Sequence, residues 1–254
     1  MSKTDVCSSD LKTRAELKAE AKAHLQENWG YAIGLYILPV LAVMGIYLAC
    51  ILVYATLTAP LALSIGETAF LATLPLLIIL WLLVLVVSST VTIGVNLGFL
   101  NFFRGGRPTY TEASTYLLKE NRFWKFLWTN VLMVILLYLW SLLFLIPGII
   151  KTYSYSMTNY ILKDKLEKGE SVTVTQAITE SRQLMNGHKW EYFVLQLSFI
   201  GWAILANLTF GIGYLWLVPY IETTNAAFYQ NLIDSQIANH SIVSLSQEIE
   251  TGTV

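Results

Sequence analysis

Long apolar windows alternate along this chain with short polar segments, and most of the windows are long enough to cross a lipid bilayer. A helix rises 1.5 Å per residue, so about 20 apolar residues cover a hydrocarbon core roughly 30 Å thick. Five windows meet this length, and a sixth window, at 149–162, is shorter and half polar. These five are 31–57, 74–102, 124–146, 190–208 and 214–233. The pattern predicts an all-α, polytopic membrane protein.

The basic residues indicate whether the short window crosses the membrane. Cytoplasmic loops of membrane proteins are enriched in Lys and Arg. Fifteen of the 16 basic residues fall into three clusters, and the loops at 58–73 and 209–213 contain none. The clusters lie at 1–30, 104–125 and 163–189. If 149–162 crosses, all three clusters and both termini are cytoplasmic, so we predict six transmembrane helices.

Each basic cluster also contains a Thr-x-x-Glu/Gln sequence, which is typical of the capping box at a helix start. The three boxes are Thr13–Glu16, Thr109–Glu112 and Thr173–Gln176. A Trp follows each capping Thr after 16, 15 or 17 residues and opens a predicted span. These interfacial anchors are Trp29, Trp124 and Trp190. The six spans therefore form three pseudo-repeats, each a cytoplasmic amphipathic helix followed by a transmembrane hairpin.

The first of these helices has one apolar row and one basic row. The apolar row is Leu17, Ala21 and Leu25, and the basic row is Arg14, Lys18 and Lys22. Such a helix suits the membrane interface, where each basic side chain gains about 1 kcal/mol from anionic headgroups. A helix simply packed under the bundle is the alternative, and the pattern does not choose between them.

Three regions follow from this organisation. Residues 1–30 are a cytoplasmic segment with the amphipathic helix, and 31–233 form the six-span membrane domain. Residues 234–254 are polar and lack Lys and Arg, which predicts a disordered cytoplasmic tail. Because 1–30 contains no hydrophobic core, we expect no cleavable signal peptide there.

Composition supports a lipid environment and narrows the partners. Of the 254 residues, 55% are hydrophobic and 13% are charged, whereas soluble domains average about 25% charged residues. The net charge of −1 gives no basic surface overall, so we expect membrane lipids as partners and no nucleic acid.

Polar residues inside the spans concentrate in the second, fourth and sixth, which return to the cytoplasm. The candidate intramembrane cluster is Lys151, Thr158, Asn159, Glu222, Thr223, Thr224 and Asn225. Such residues commonly join helices through hydrogen bonds worth about 0.6 kcal/mol each. The alternative hypothesis is a polar central cavity or path.

Glu222 bears most directly on this choice, because a carboxylate in mid-membrane needs a partner or a neutral state. Lys151 is the one basic residue outside the three clusters, so it is the candidate partner. It could instead lie near the outer surface and extend its amine into water. Pro219, one turn before Glu222, is expected to bend the sixth span and free a backbone carbonyl.

Motifs of catalysis are missing from the chain. It contains no metalloprotease, hydrolase, phosphate-loop or dinucleotide signature. Its two cysteines, Cys7 and Cys50, form neither a disulfide framework nor a metal site. We therefore expect no enzyme, no cofactor, no metal and no catalytic residue.

Several stretches, spread over 11–232, form a recognisable set. They read "TRAELKAEAK", "FFRGGRPTY", "LIPGIIKTYSYSMTNYIL", "GHKWEYFVLQLSFIGWAIL" and "FGIGYLWLVPYIETTNAAFY". This set resembles a bacterial integral membrane protein family catalogued as domain of unknown function 975. The resemblance implies a multi-pass protein of a bacterial, Gram-positive cytoplasmic membrane. Since the family has no established activity, the resemblance supplies no catalytic residues.

The sequence therefore leaves function open between classes. Interfacial helices, many aromatic residues and absent motifs favour a non-catalytic membrane factor that binds lipids or a membrane-protein partner. The alternative is a small-solute transporter or lipid-translocating protein that uses the polar faces of spans two, four and six. An intramembrane enzyme is the least supported class.

Overall fold

The computed structural model describes residues 11–65, 68–119, 122–143 and 145–250, and every described element is helical. The first five helices are α1 Arg14–Gln26, α2 Trp29–Ile65, α3 Thr68–Phe103, α4 Tyr110–Thr115 and α5 Arg122–Leu143. The others are α6 Leu145–Tyr155, α7 Thr158–Glu167, α8 Val174–Leu184, α9 Lys189–Leu197, α10 Ile200–Leu208 and α11 Tyr214–Glu250. A 3₁₀ turn, Tyr116–Leu118, follows α4. The predicted all-α class is confirmed.

Four helical segments within the described residues are long and apolar enough to cross a membrane. They are Trp29–Pro60, Leu71–Phe103, Arg122–Leu142 and Lys189–Leu208. These segments match the predicted first, second, third and fifth spans. The predicted fourth span corresponds to α6 and α7, which are each too short. The predicted sixth lies in α11, where polar residues interrupt the apolar ones.

All three predicted capping boxes form, and each starts a short helix. The backbone N–H of Thr13, Thr109 and Thr173 donates to the side chain three residues later, at 2.7, 3.0 and 2.9 Å. The helices they start differ in length, with 13 residues in α1, 6 in α4 and 11 in α8. The three helices thus start in the same way but differ in length.

The amphipathic helix α1 packs against the protein along its apolar row. Leu17, Ala21 and Leu25 are only 1%, 0% and 0% exposed, and α11 is the main neighbour of the helix. The backbone N–H of Lys12 donates to Asn231 Oδ1 at 3.4 Å, which ties the start of α1 to α11. Of the two arrangements that the sequence left open for α1, the structure has the helix packed on the bundle.

Two glycines allow α4 to lie directly on α3. A Cβ atom at Gly94 would meet the backbone oxygen of Ala113 at 2.3 Å, and one at Gly98 would meet the Cβ of Ala113 at 2.9 Å. Glycines four residues apart let helices approach at close range in membrane proteins. The short helix α4 therefore fits on α3 only because these positions have no side chain.

The hairpins differ strongly in length. Helices α2 and α3 have 37 and 36 residues, or about 55 Å each at 1.5 Å per residue. Helix α5 has 22 residues, or about 33 Å. The middle of the α2–α3 hairpin exposes large apolar side chains such as Leu52, Leu71 and Trp81. This first hairpin extends well beyond the length that a bilayer core requires.

Two of the predicted spans contain a turn. Residues Ser156 and Met157 separate α6 from α7, and Ser198 and Phe199 separate α9 from α10. A hydroxyl group bonds to the backbone next to the first break: Ser181 Oγ donates to the backbone oxygen of Ser154 at 2.9 Å. A polar side chain from a neighbouring helix thus satisfies a carbonyl at the interruption.

Helix α11 continues to Glu250, which corrects the prediction of a disordered tail from residue 234. The polar composition of this region suggested disorder. However, the sequence has neither Gly nor Pro between 220 and 250. A helix already formed by a buried segment extends without a new nucleation cost. Residues 251–254 lie outside the described part of the chain.

Candidate functional site

The polar run at the centre of α11 lies inside the bundle. Thr223, Thr224 and Asn225 are buried and Glu222 is half-buried. Helix α11 contacts α1, α2, α3 and α10, so it is the central helix of the fold. The predicted polar residues of the sixth span therefore do sit among other helices.

Glu222 lies in a cavity of about 230 Å³ between α2, α3 and α11. Four other polar side chains line this cavity: Tyr36, Ser88, Thr92 and Asn96. The last three are four residues apart on α3, so they form a single row facing α11. Pro39, Val43, Val91 and Val218 are among its apolar walls. Among the described residues, no Lys, Arg or His lines this cavity.

The next turn of α11 connects Glu222 to the third hairpin. Asn225 Oδ1 accepts hydrogen bonds from Gln196 Nε2 at 2.6 Å and from the Tyr192 hydroxyl at 3.3 Å. On the same helix, the Asn225 side chain also lies within electrostatic reach of the Glu222 carboxylate. Tyr192 and Gln196 therefore hold Asn225 in place, and Glu222, one turn earlier on α11, faces the cavity.

The two threonines of the polar run serve a different purpose. Thr223 Oγ1 donates to the backbone oxygen of Pro219 at 2.7 Å, and Thr224 Oγ1 donates to that of Tyr220 at 2.7 Å. Both hydroxyls therefore bond within α11 and not across to a neighbouring helix. They neither join helices nor line the Glu222 cavity.

Lys151 and Glu222 are not brought together. The Lys151 amine lies over the Trp140 ring, 4.6 Å from its centroid, and its charged neighbours are Arg182 and Lys189. No ion pair joins Lys151 to Glu222 in the described residues, so the candidate partnership is wrong. Helix α6 packs mainly on α5 and also on α8 and α9, whereas the cavity is lined by α2, α3 and α11.

Thr158 and Asn159 occupy a third place. Asn159 exchanges amide hydrogen bonds with Asn130 of α5 at 3.1 and 3.4 Å. Thr158 Oγ1 donates to the backbone oxygen of Tyr155 at 2.8 Å. This part of the predicted cluster holds α7 against α5 and has no connection to Glu222.

The three tryptophan anchors stand at helix starts, with unequal exposure. Trp124 and Trp190 are 55% and 70% exposed. Trp29 is half-buried and lines a groove of about 510 Å³ beside α10 and α11. The other principal lining residues are Lys22, Trp202, Leu205, Trp216, Leu217 and Tyr220. Lys22 is the one charged residue that lines this groove within the described chain.

A polar network that sequence reasoning missed joins the end of α3 to α7 and α11. Arg104 holds Asp164 with two parallel bonds of 2.7 and 2.8 Å. The Tyr229 hydroxyl donates to Asp164 at 2.9 Å, and Arg104 Nε donates to Gln230 at 3.0 Å. The sequence signal was weak: Arg104 directly follows an apolar run, and Asp164 comes two residues after the end of another.

Electrostatics favours the charged form of this pair. Burial raises the pKa of the Asp164 carboxyl, but the hydrogen bonds and charge of Arg104 and the hydrogen bond of Tyr229 outweigh it. The net result is a pKa of Asp164 below its ordinary value. The same partnership raises the pKa of Arg104.

In the part of the chain that the structure describes, no group of three His, Cys, Asp or Glu side chains could hold a metal ion.

These features define an all-helical protein with four membrane-length apolar helices and a carboxylate in an interhelical cavity. A family model described as "Protein of unknown function (DUF975)" matches residues 11–154 and 142–236. The chain belongs to this family. No curated protein and no solved structure matches it.

Proposed function

We propose that this chain is a non-catalytic integral protein of a bacterial cytoplasmic membrane that binds anionic phospholipid. Four membrane-length helices and the family membership support the location. Six spans follow if α6 and α7 together form the fourth crossing and the first part of α11 forms the sixth. Both termini are then cytoplasmic, as the three basic clusters favour.

The observation that carries the lipid proposal is the groove beside α10 and α11. Its walls are mainly apolar, and Trp29, Trp202 and Trp216 surround it. Trp202 and Trp216 are 60% and 49% exposed, so the groove opens to the outside of the bundle. The acyl chain of a lipid matches such a surface, because both are apolar. Contact between them removes apolar area from water, or replaces another lipid, without the loss of a hydrogen bond.

The basic row of α1 supplies the charge for a headgroup. Lys22 lines the groove, and the Lys18 amine lies over the Phe199 ring, 4.2 Å from its centroid. Burial, followed by the charge of Arg14, lowers the pKa of Lys18. Within the described residues Arg14, Lys18 and Lys22 form no ion pair. An anionic headgroup would offset their mutual repulsion.

Native mass spectrometry tests this proposal with protein in neutral detergent and equal amounts of phosphatidylglycerol and phosphatidylcholine. We expect the wild-type protein to retain phosphatidylglycerol preferentially. The double variant Lys18→Gln/Lys22→Gln should lose about tenfold or more of that preference, because each basic group contributes about 1 kcal/mol. Trp216→Ala should weaken the retention of both lipids alike.

Lys168→Gln is the matched control, since Lys168 is an exposed lysine between α7 and α8. It should leave the preference unchanged. Equal retention of both lipids by the wild-type protein would contradict the proposal. An effect of Lys168→Gln as large as that of the double variant would do so as well.

A further inference from the structure

We infer that the Glu222 cavity is a binding site for a small organic cation, a protonated amine with a short apolar body. This site is separate from the proposed lipid groove. Val218 and Glu222 face the cavity, whereas Trp216 and Tyr220 face the groove. Residues two apart on a helix point in nearly opposite directions, so α11 divides the two.

The first argument is the lack of a counter-charge. Glu222 is the one acidic residue of the predicted sixth span, and the residues that line its cavity include no Lys, Arg or His. The polar groups near it that can donate hydrogen bonds, the Asn225 amide on its own helix and the Tyr36 hydroxyl and Asn96 amide in the cavity wall, are neutral. A carboxylate held among apolar helices by neutral groups alone is favourable only when a cation or proton completes it.

The second argument is the orientation of the hydroxyls on α3. Ser88 Oγ donates its proton to the backbone oxygen of Leu85 at 3.0 Å, and Thr92 Oγ1 donates to that of Ser88 at 2.8 Å. A hydroxyl has one proton and two lone pairs. Both oxygens therefore present acceptors to the cavity, opposite a carboxylate that also only accepts. The Tyr36 hydroxyl and the Asn96 amide, which can also donate, complete the polar lining. The three groups that only accept, Glu222, Ser88 and Thr92, suit a ligand that donates hydrogen bonds.

The third argument separates an organic cation from a metal ion. Hard cations such as Ca²⁺ require six or more oxygen ligands, whereas most residues that line this cavity are aliphatic or aromatic. An ammonium group needs three acceptors, and Glu222, Ser88 and Thr92 provide that number. The apolar walls from Pro39, Val43 and Val218 would then contact an alkyl body.

Radiolabelled n-hexylamine is the probe, with binding measured on the captured protein in neutral detergent. We expect unlabelled hexylamine to displace it and 1-hexanol, which has the same body without the charge, to displace it far less. Glu222→Gln should weaken hexylamine binding by about tenfold or more, the usual effect of a charge-assisted hydrogen bond. Glu222→Asp keeps the charge and should retain most of the binding.

Ser88 and Ser89 give a matched pair of variants. Ser89 makes the same kind of bond, to the backbone oxygen of Val86 at 2.9 Å, but it is exposed and does not line the cavity. Ser88→Ala should weaken hexylamine binding, and Ser89→Ala should leave it unchanged. The inference is overturned if hexanol competes as well as hexylamine, if Glu222→Gln binds as the wild type does, or if the two serine variants behave alike.

Discussion

Asp164 is a single residue that connects three helices. It accepts two hydrogen bonds from Arg104 at the end of α3 and one from Tyr229 of α11. Its side chain is 16% exposed and that of Arg104 is 32% exposed, so water screens the pair only in part. An ion pair in this environment depends on its geometry and its additional hydrogen bonds.

We expect Asp164→Asn to lower the free energy of unfolding by about 1–3 kcal/mol, because a charged hydrogen-bond acceptor is lost while Arg104 stays charged. Unfolding in mixed detergent micelles at neutral pH measures this. The control is Glu20→Gln, which removes the more exposed pair between Lys12 and Glu20. Exposed pairs contribute about 0–1 kcal/mol. Equal losses in the two variants would contradict the structural role of Asp164.

The pH dependence follows from the direction of the pKa shift. Because the pKa of Asp164 is lower in the folded protein than its ordinary value of 3.8, the pair stabilises the protein fully above that value. The stabilisation disappears as the pH falls through the lower, folded-state pKa. We therefore expect the stability difference between wild type and Asp164→Asn to shrink as the pH falls below 3.8.

At the scale of elements, the contact of α4 with α3 depends on the absence of a side chain. A side chain at position 94 would clash with the backbone oxygen of Ala113, and a backbone atom cannot rotate away as a side chain can. The two helices would have to separate. This would also disturb Tyr110, whose ring stacks with that of Tyr31 at a centroid distance of 5.6 Å.

Gly94→Ala should therefore destabilise the protein by about 1–3 kcal/mol, as overpacking does elsewhere. Gly45→Ala is the matched control, because a Cβ at Gly45 meets nothing within 4 Å. In a helix, Ala is intrinsically favoured over Gly by about 1 kcal/mol, so the control should be neutral or stabilising. Thermal unfolding of both variants in the same detergent tests this, and a stabilising Gly94→Ala would refute the close contact.

The features that the sequence predicted correctly depend on residues that are close together along the chain. The capping boxes and the four membrane-length segments are set by residues within a few turns of each other, so periodicity and composition were sufficient. The Arg104–Asp164 pair joins residues 60 positions apart, and no local pattern announces such a contact. The same limit applies to Lys151, which was a candidate partner of Glu222 only because it is the one basic residue outside the three clusters. The roles of Thr223 and Thr224 depended on rotamers, which composition does not specify.

At the scale of the whole molecule, the number of crossings determines which loops share a side of the membrane. Six spans place the loop around Lys168 in the cytoplasm and the turn at Phe210 outside. If 149–162 does not cross, these two positions exchange sides. Both are suitable for labelling, because Lys168 is exposed and the Phe210 side chain is fully exposed.

Single-cysteine variants test this in intact cells after Cys7 and Cys50 are replaced. We expect a membrane-impermeant maleimide to label Phe210→Cys directly and Lys168→Cys only after permeabilisation. The Phe210→Cys result serves as the control for Lys168→Cys, because each topology requires opposite outcomes at the two sites. Labelling of Lys168→Cys alone in intact cells would mean that α6 and α7 do not form a crossing.

The unequal hairpins also have a consequence for how the chain is made. Synthesis proceeds from the N-terminus, so α2 and α3, which contain the longest and most apolar of the membrane-length segments, leave the ribosome before the other two such segments. Insertion into lipid is most favourable for such segments. The later helices include interrupted ones, whose freed backbone groups need protein neighbours inside the bilayer. The first hairpin is therefore already in place as a partner surface when the broken and more polar helices arrive.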